Sequence, residues 1–228
     1  MEEGLRILYK TNPFPAVCGR ICTHRCEEVC ALGHTGDPIS IRWLKRYIAD
    51  QIPLSDYEQV LAQEIIPNYK KVAIIGAGPG GLSAAYYLAL LGYDITVYEA
   101  HEYAGGMLRY GIPEYRLPYD QLDKDIEYIH SLGVKIACNT RIGEDIPFND
   151  LLDRYDAIFY STGLSQPYRI EIAGEDDPNV ISGLELLDDV TKGKKPNIGK
   201  KVAVIGGGNV AMDAARTARR FGSNVTII

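Results

Sequence analysis

The sequence predicts an α/β chain in three parts: a small helical, cysteine-bearing domain over residues 1–68, a Rossmann-like dinucleotide-binding βαβ domain over 69–198, and the truncated start of a second such domain over 199–228. Three observations predict it. Four of the five cysteines fall in the first part, at Cys18, Cys22, Cys26 and Cys30. An apolar strand runs straight into a glycine turn between Val72 and Gly81. The same unit returns later: Lys71-Val-Ala-Ile-Ile-Gly-Ala-Gly and Lys201-Val-Ala-Val-Ile-Gly-Gly-Gly are near copies, an internal duplication rather than a short solenoid repeat.

Composition bounds the partners. The chain has 228 residues and 46% hydrophobic content, enough core for one large domain or two small ones. The net charge of −6 and the lack of a long basic run argue against nucleic acid. The longest apolar stretches, such as Val72–Ile75, are strand-sized and too short to cross a bilayer, so no membrane is expected. Met1-Glu2-Glu3-Gly4 lacks the flank and apolar run of a signal peptide, which predicts a cytoplasmic, reducing setting. There, clustered cysteines are read as metal or redox ligands before disulfides.

In the first βαβ unit, Val72–Ile75 reads as a buried strand, Gly76-x-Gly78-x-x-Gly81 as the turn, Leu82–Leu91 as a helix and Ile95–Tyr98 as the next strand. Each glycine has a task. Gly76 permits the tight turn, Gly78 lets backbone approach a pyrophosphate, and Gly81 lets helix and strand pack closely. The helix start offers free N–H groups to phosphates. Glu99 stands at the end of the second strand, about 20 residues beyond the glycines, where an acid hydrogen-bonds a ribose hydroxyl. That acid suits FAD or NAD, not NADP, and the pattern does not choose between the two.

The second unit reads Val202–Ile205, then Gly206-x-Gly208-x-x-Ala211, a helix over Val210–Phe221 and a strand from Asn224. The residue that selects the ribose is not in the sequence, so NAD and NADP stay open. A ligand-free structural unit is the alternative. Val225–Ile228 reads as a strand of an unfinished sheet, which predicts a fragment of a longer protein and allows a homo-oligomer through the open sheet.

Three residues separate each of the four clustered cysteines, so four thiolates fall within thirteen residues. Such soft ligands suit zinc or an iron–sulfur cluster. Zinc sites usually use separated two-residue knuckles, which are absent here. A buried cysteine stripe on a helix is the bland alternative. Pro13, Pro15 and Gly19 are expected to oppose a straight helix through Cys18. His24 is expected to bond locally, and Arg20 and Arg25 either offset cluster charge or sit at the surface. Cys138 reads as a core residue with no partner for a redox dithiol. Pro38–Ile48 reads as a helix capped by Asp37, with Ile41, Leu44, Tyr47 and Ile48 as its apolar face. Trp43 is assigned to core or interface. Asp120, Asp123, Asp125 and Glu127 are assigned to the solvated face of a helix. No Ser/His/Asp set or carboxylate pair stands out for acid–base chemistry.

These motifs together carry a resemblance. Asn12-Pro-Phe-Pro-Ala-Val-Cys-Gly-Arg-Ile-Cys with Cys26, Cys30 and Pro38-Ile-Ser-Ile-Arg-Trp-Leu-Lys-Arg-Tyr resembles the N-terminal iron–sulfur domain of the glutamate synthase small (β) subunit family. The N-terminal part of dihydropyrimidine dehydrogenase and the bifurcating ferredoxin–NADP transhydrogenase large subunit share it. The likeness continues through Gly76–Gly81, Gly105–Pro113, Arg116–Pro118, Ser161–Gly163 and Gly206–Asp213.

The resemblance implies a small helical iron–sulfur domain, an FAD-binding domain and an NAD(P)H-binding domain, with FAD, a 4Fe–4S cluster and NADP or NAD as cofactors. It implies that Cys18, Cys22, Cys26 and Cys30 hold the cluster. Gly76, Ala77, Gly78, Pro79, Gly80, Gly81 and Glu99 would hold the adenosine and pyrophosphate of FAD. Gly106, Met107 and Arg116 would lie along the flavin, with Thr162 and Gly163 near the ribityl or phosphate. Gly206, Gly208, Asn209, Val210 and Ala211 would bind NAD(P). NAD(P)H would deliver a hydride to FAD, and electrons would pass singly to iron–sulfur clusters. From there they would reach a larger catalytic subunit of glutamate synthase type or a ferredoxin-like acceptor. A relay module without turnover of its own is the competing reading. The chain departs from the family at Lys45, which stands where several relatives carry a Glu or Gln cluster ligand.

Overall fold

The computed structural model describes all residues, 1–228. Five short helices precede the first strand: α1 (Glu2–Tyr9), α2 (Pro15–Ile21), α3 (Arg25–Glu28), α4 (Ile41–Gln51) and α5 (Tyr57–Val60). The βαβ region follows as β1 (Lys71–Ile75), α6 (Pro79–Leu90), β2 (Asp94–Tyr98), α7 (Met107–Tyr110), α8 (Tyr119–Ser131), β3 (Lys135–Ala137), α9 (Phe148–Arg154) and β4 (Ala157–Tyr160). Last come α10 (Gly183–Thr191), β5 (Lys201–Val204), α11 (Asn209–Arg220) and β6 (Asn224–Ile227).

Four strands form one parallel sheet in the order β3-β2-β1-β4, and β5 and β6 form a second parallel pair. β1 is central: Val72 lies opposite Ile95 on one side and Ala157 on the other. Its Val72, Ala73 and Ile74 are buried, as expected of a strand covered on both faces. The helix α6 lays Leu82, Ala85, Tyr86 and Ala89 on this sheet, the face that the spacing predicts. It starts at Pro79 rather than Leu82, because proline at the first helical position loses no hydrogen bond.

Helical expectations for the first region need three corrections. A helix does run through Cys18: Pro15 initiates α2 instead of opposing it. Gly19 serves packing there, since a Cβ on it would lie 2.7 Å from the Arg46 Cα of α4. The helix α4 starts at Ile41, not at Pro38, and its first turn is capped by Glu27, whose Oε1 accepts the Arg42 N–H at 2.9 Å. Its buried side is also not the expected one. Ala49 is buried and Ile48 half-buried, whereas Leu44, Tyr47 and Trp43 are exposed. Trp43 is therefore not core; the guanidinium groups of Arg42 and Arg46 lie 5.0 and 5.6 Å from its ring centroid.

One hydrophobic core joins the helical region to the sheet. Leu5, Tyr9, Val17 and Tyr57 from the first helices pack with Leu82, Tyr86, Leu122 and Tyr128. Tyr9 sits at its centre, edge-on to Tyr57 and Tyr128 at 5.7 and 4.8 Å between ring centroids.

Candidate functional site

The glycine turn after β1 is built by close backbone approach. Gly76 has φ +103°, and a Cβ on it would meet the Ser161 carbonyl oxygen at 2.3 Å. A Cβ on Gly81 would meet the Gly76 oxygen at 2.0 Å, so the third glycine does let the helix sit on the strand. Gly78, by contrast, faces only the Gly106 Cα at 3.8 Å. Gly106 itself has φ +53°, and a Cβ there would lie 2.7 Å from the Gly78 Cα. Two loops far apart in sequence thus meet glycine to glycine beside the α6 N-terminus, whose first-turn N–H groups have no intrahelical acceptor.

Ala77 fastens the arrangement. Its N–H donates to Glu99 Oε2 at 2.8 Å, and its carbonyl accepts the Gly105 N–H at 2.8 Å. Glu99 is 5% exposed, and its Oε1 accepts the His101 N–H at 2.9 Å. The acid is therefore anchored by backbone donors, with lone pairs left on both oxygens. Ser161 N donates to the Ile75 carbonyl, which sets Thr162 and Gly163 at the mouth of the turn, where Gly163 takes φ +71°. The Met107 side chain folds over Gly111: a Cβ there would meet Met107 Cε at 2.1 Å. A cradle of this shape, an N-terminal helix turn, an anchored acid and glycines where the loops meet, fits a flavin dinucleotide.

Arg116 is held by a carboxylate of the second unit. Its Nη1 hydrogen-bonds Asp213 Oδ2 of α11, and Tyr115 Oη donates to the Asp213 carbonyl at 3.5 Å. Arg220 stacks on the Tyr115 ring at 4.0 Å. The 113–118 loop is thereby a strap onto the second unit. In that unit Gly206 has φ +114° and its N–H donates to the Ile228 carbonyl at 2.8 Å. Gly206, Gly208, Asn209 and Val210 are exposed and Ala211 half-buried. No protein atom comes within 4 Å of a Cβ at Gly207 or Gly208, so the turn leaves room for a phosphate.

The cysteines are spread along three local structures. Cys18 is inside α2 and packs against the core, Cys22 ends that helix, Cys26 is exposed on α3, and Cys30 precedes a 3-10 turn. Burial pushes the Cys18 thiol up, partly offset by the nearby Lys45 ammonium. Backbone N–H groups, of Ile39 first and then Leu32 and Gly33, hold the Cys30 thiol below its ordinary value. The His24 N–H donates to Cys22 Sγ at 3.4 Å, and His24 Nδ1 lies 3.4 Å from Glu27 Oε2, as its local role predicts. Four soft thiols on one short segment suit iron–sulfur ligation by their chemistry. The structure nonetheless gathers no three His, Cys, Asp or Glu side chains closely enough to hold a metal ion. Cys138 is half-buried against the core, and burial raises its thiol.

The acidic helix face is the clearest correction. Asp125 is fully buried, not solvated: Oδ2 accepts the Val17 N–H at 3.0 Å and Oδ1 accepts the Tyr9 hydroxyl at 3.3 Å. Burial pushes its carboxyl up to about 7. Asp123 pairs with Arg109, whose Nε donates to the Ala104 carbonyl at 2.9 Å. Asp120 and Glu127 face solvent, and the Asp123 side chain stays 45% exposed despite its pairing. A signal for Asp125 was present: it falls three residues after Leu122 and four before Ile129, on the apolar stripe of α8.

The model of the pyridine nucleotide-disulphide oxidoreductase family matches residues 70–228. The chain belongs to that family. A second model, described as dihydropyrimidine dehydrogenase domain II with a 4Fe-4S cluster, matches residues 1–56. The chain is 45% identical to the NADP(+)-dependent formate dehydrogenase subunit beta of Moorella thermoacetica, over 97% of this chain and 35% of that protein. It is 34% identical to the glutamate synthase [NADPH] small chain of Escherichia coli K12, over 97% of this chain and 49% of that protein. Among solved structures, Mycobacterium tuberculosis FprA in complex with NADPH superposes with a TM-score of 0.57 at 26% identity, covering 65% of this chain and 36% of that one. The chain thus spans between a third and a half of the length of these curated relatives. It has the two domains of an iron–sulfur flavoprotein, with FAD, NAD(P) and a 4Fe–4S cluster as their cofactors. Cys138 is the one cysteine of this sequence outside the N-terminal segment. No helix is long and apolar enough to cross a membrane.

Proposed function

We propose that this chain carries the electron-input part of a multi-subunit oxidoreductase, taking reducing equivalents from NADPH and passing them to a partner protein. The meeting of Gly78 and Gly106 beside the anchored Glu99 carries the reading. Gly76, Ala77, Gly78, Pro79, Gly80, Gly81 and Glu99 bind the adenosine and pyrophosphate of FAD, and Gly106, Met107, Thr162 and Gly163 bound the rest of it. When bound, FAD supplies the change from two-electron to one-electron transfer. The first-turn amides of α6 neutralise pyrophosphate charge, and Glu99 orients the ribose through its free lone pairs. Arg116 acts through Asp213, holding the second nucleotide unit in place. Gly206, Gly208, Asn209, Val210 and Ala211 receive the NADPH pyrophosphate. Cys22, Cys26 and Cys30, with Cys18 as the least exposed candidate, supply thiolates to the cluster.

NADPH is preferred because the formate dehydrogenase, glutamate synthase and FprA proteins all carry NADP or NADPH in their names. The partner is a larger catalytic subunit. A formate dehydrogenase-type partner stands ahead of the glutamate synthase type, on 45% against 34% identity. The test is the absorption spectrum of the purified protein with iron, sulfide and flavin contents, followed by NADPH-driven reduction of a dye. Flavin, iron and dye reduction are expected. Zinc in place of iron, or an inert flavin, would reject the reading.

A further inference from the structure

Four consecutive residues of α8 face two different parts of the molecule. Leu122 and Asp123 turn to the nucleotide cradle. A Cβ on Gly105 would touch Leu122 Cδ2 at 2.9 Å, and Asp123 pairs with Arg109 of α7. Lys124 and Asp125 turn to the cysteine segment. Lys124 Nζ donates to the carbonyls of Ala49 and Ile52, at 2.6 and 2.5 Å, which close the C-terminal end of α4. Asp125 accepts the Val17 N–H in the first turn of α2.

Neither helix supplies these contacts itself. Phe14 precedes α2 and offers no side-chain cap, and α4 ends at Gln51 with its last carbonyls open. A cation thus sits on the negative end of one helix, and a buried carboxyl oxygen accepts an N–H at the start of the next. The two helices touch each other through Gly19 and Arg46. Lys124 is also held in place by the Tyr57 ring, 5.0 Å from its Nζ.

We propose that Lys124 and Asp125 are positioning residues that dock the cysteine segment on the nucleotide cradle and so set the gap that electrons cross between them. The proposal rests on the electron-transfer reading above. Neither residue makes or breaks a bond; their effect is distance and orientation.

The test uses the cofactor-loaded protein with Lys124→Met, Lys124→Arg and Asp125→Asn. Two readouts are needed. Hydrogen exchange should quicken in residues 14–21 and 41–52 of Lys124→Met while β1 and α6 keep their protection. In rapid mixing with NADPH, flavin bleaching should stay within about twofold of the parent while the following cluster reduction slows by about tenfold or more. Lys124→Arg should restore both, and Asp125→Asn, which still accepts from Val17, should stay near the parent. Unchanged exchange and unchanged cluster reduction in Lys124→Met would overturn the proposal. So would equal slowing of both kinetic steps, which marks general loosening. If the parent flavin is not bleached by NADPH, the functional reading fails, and the exchange pattern alone decides the docking role.

Discussion

Gly106 approaches Gly78 so closely that a methyl group on Gly106 would lie 2.7 Å from the Gly78 Cα. The two residues belong to loops 28 positions apart and meet beside the α6 N-terminus. This pair makes the first prediction. Gly106→Ala puts a Cβ into that contact at φ +53°, at a cost of about 1–3 kcal/mol. The purified variant should carry little flavin and melt at lower temperature; full flavin content would show that the loop is not part of the cradle.

Glu99 gives a second. Glu99→Ala leaves the N–H groups of Ala77 and His101 without their acceptor, which costs about 1–3 kcal/mol for the buried Ala77 donor and less for the half-buried His101. FAD affinity should fall further than in Glu99→Gln, which keeps one carbonyl oxygen. Titration of the apoprotein with FAD checks the order.

Asp125 predicts a pH dependence of stability. Its carboxyl titrates at about 7 when folded because burial disfavours the charged form, against about 4 in an unfolded chain. The folded state therefore holds the extra proton between those values. This contribution to stability is complete below about pH 4 and is lost as pH rises through about 7. Asp125→Asn should flatten that slope in chemical denaturation, and an unchanged slope would assign it to another group.

Arg116 and Asp213 predict a coupling. The Asp213 side chain is 3% exposed and also lies 3.5 Å from Arg216. Arg116→Ala and Asp213→Asn should each destabilise the β5–α11–β6 unit, and a double-mutant cycle should give a coupling of about 1–3 kcal/mol. Additive effects would show that the 113–118 strap is held by Tyr115 alone.

For the cysteines, alanine at Cys22, Cys26 or Cys30 should reduce iron content to background, while Cys18→Ala, at the position packed into the core, should reduce it least. Iron and sulfide assays decide. Retention of iron in Cys30→Ala would remove the thiol that backbone donors favour as thiolate.

Most of the nucleotide cradle was legible in the sequence because its requirements are local. A buried strand and glycines at fixed spacing do backbone tasks, and Gly76 and Gly81 are found doing them, while Glu99 is found anchored by the N–H groups of Ala77 and His101. The positions set by distant chain were not legible. The resemblance places Arg116 along the flavin, and nothing local announces the carboxylate 97 residues away that it also grips. Asp125 was assigned to water by residue type, although its place on the α8 stripe pointed inward. The start of α4 was misplaced because its cap, Glu27, comes from another helix. Side-chain caps from within a helix leave a sequence signature; caps delivered across the fold leave none.

The successive grips of Leu122, Asp123, Lys124 and Asp125 also bear on how this protein tolerates change in length. One residue inserted just before them would turn every later side chain of α8 by about 100°. All four partners would be lost in a single step, so this stretch should refuse insertions and deletions that the exposed 164–181 loop accepts. Lineages of such proteins should therefore vary in size around that loop and keep α8 in strict register.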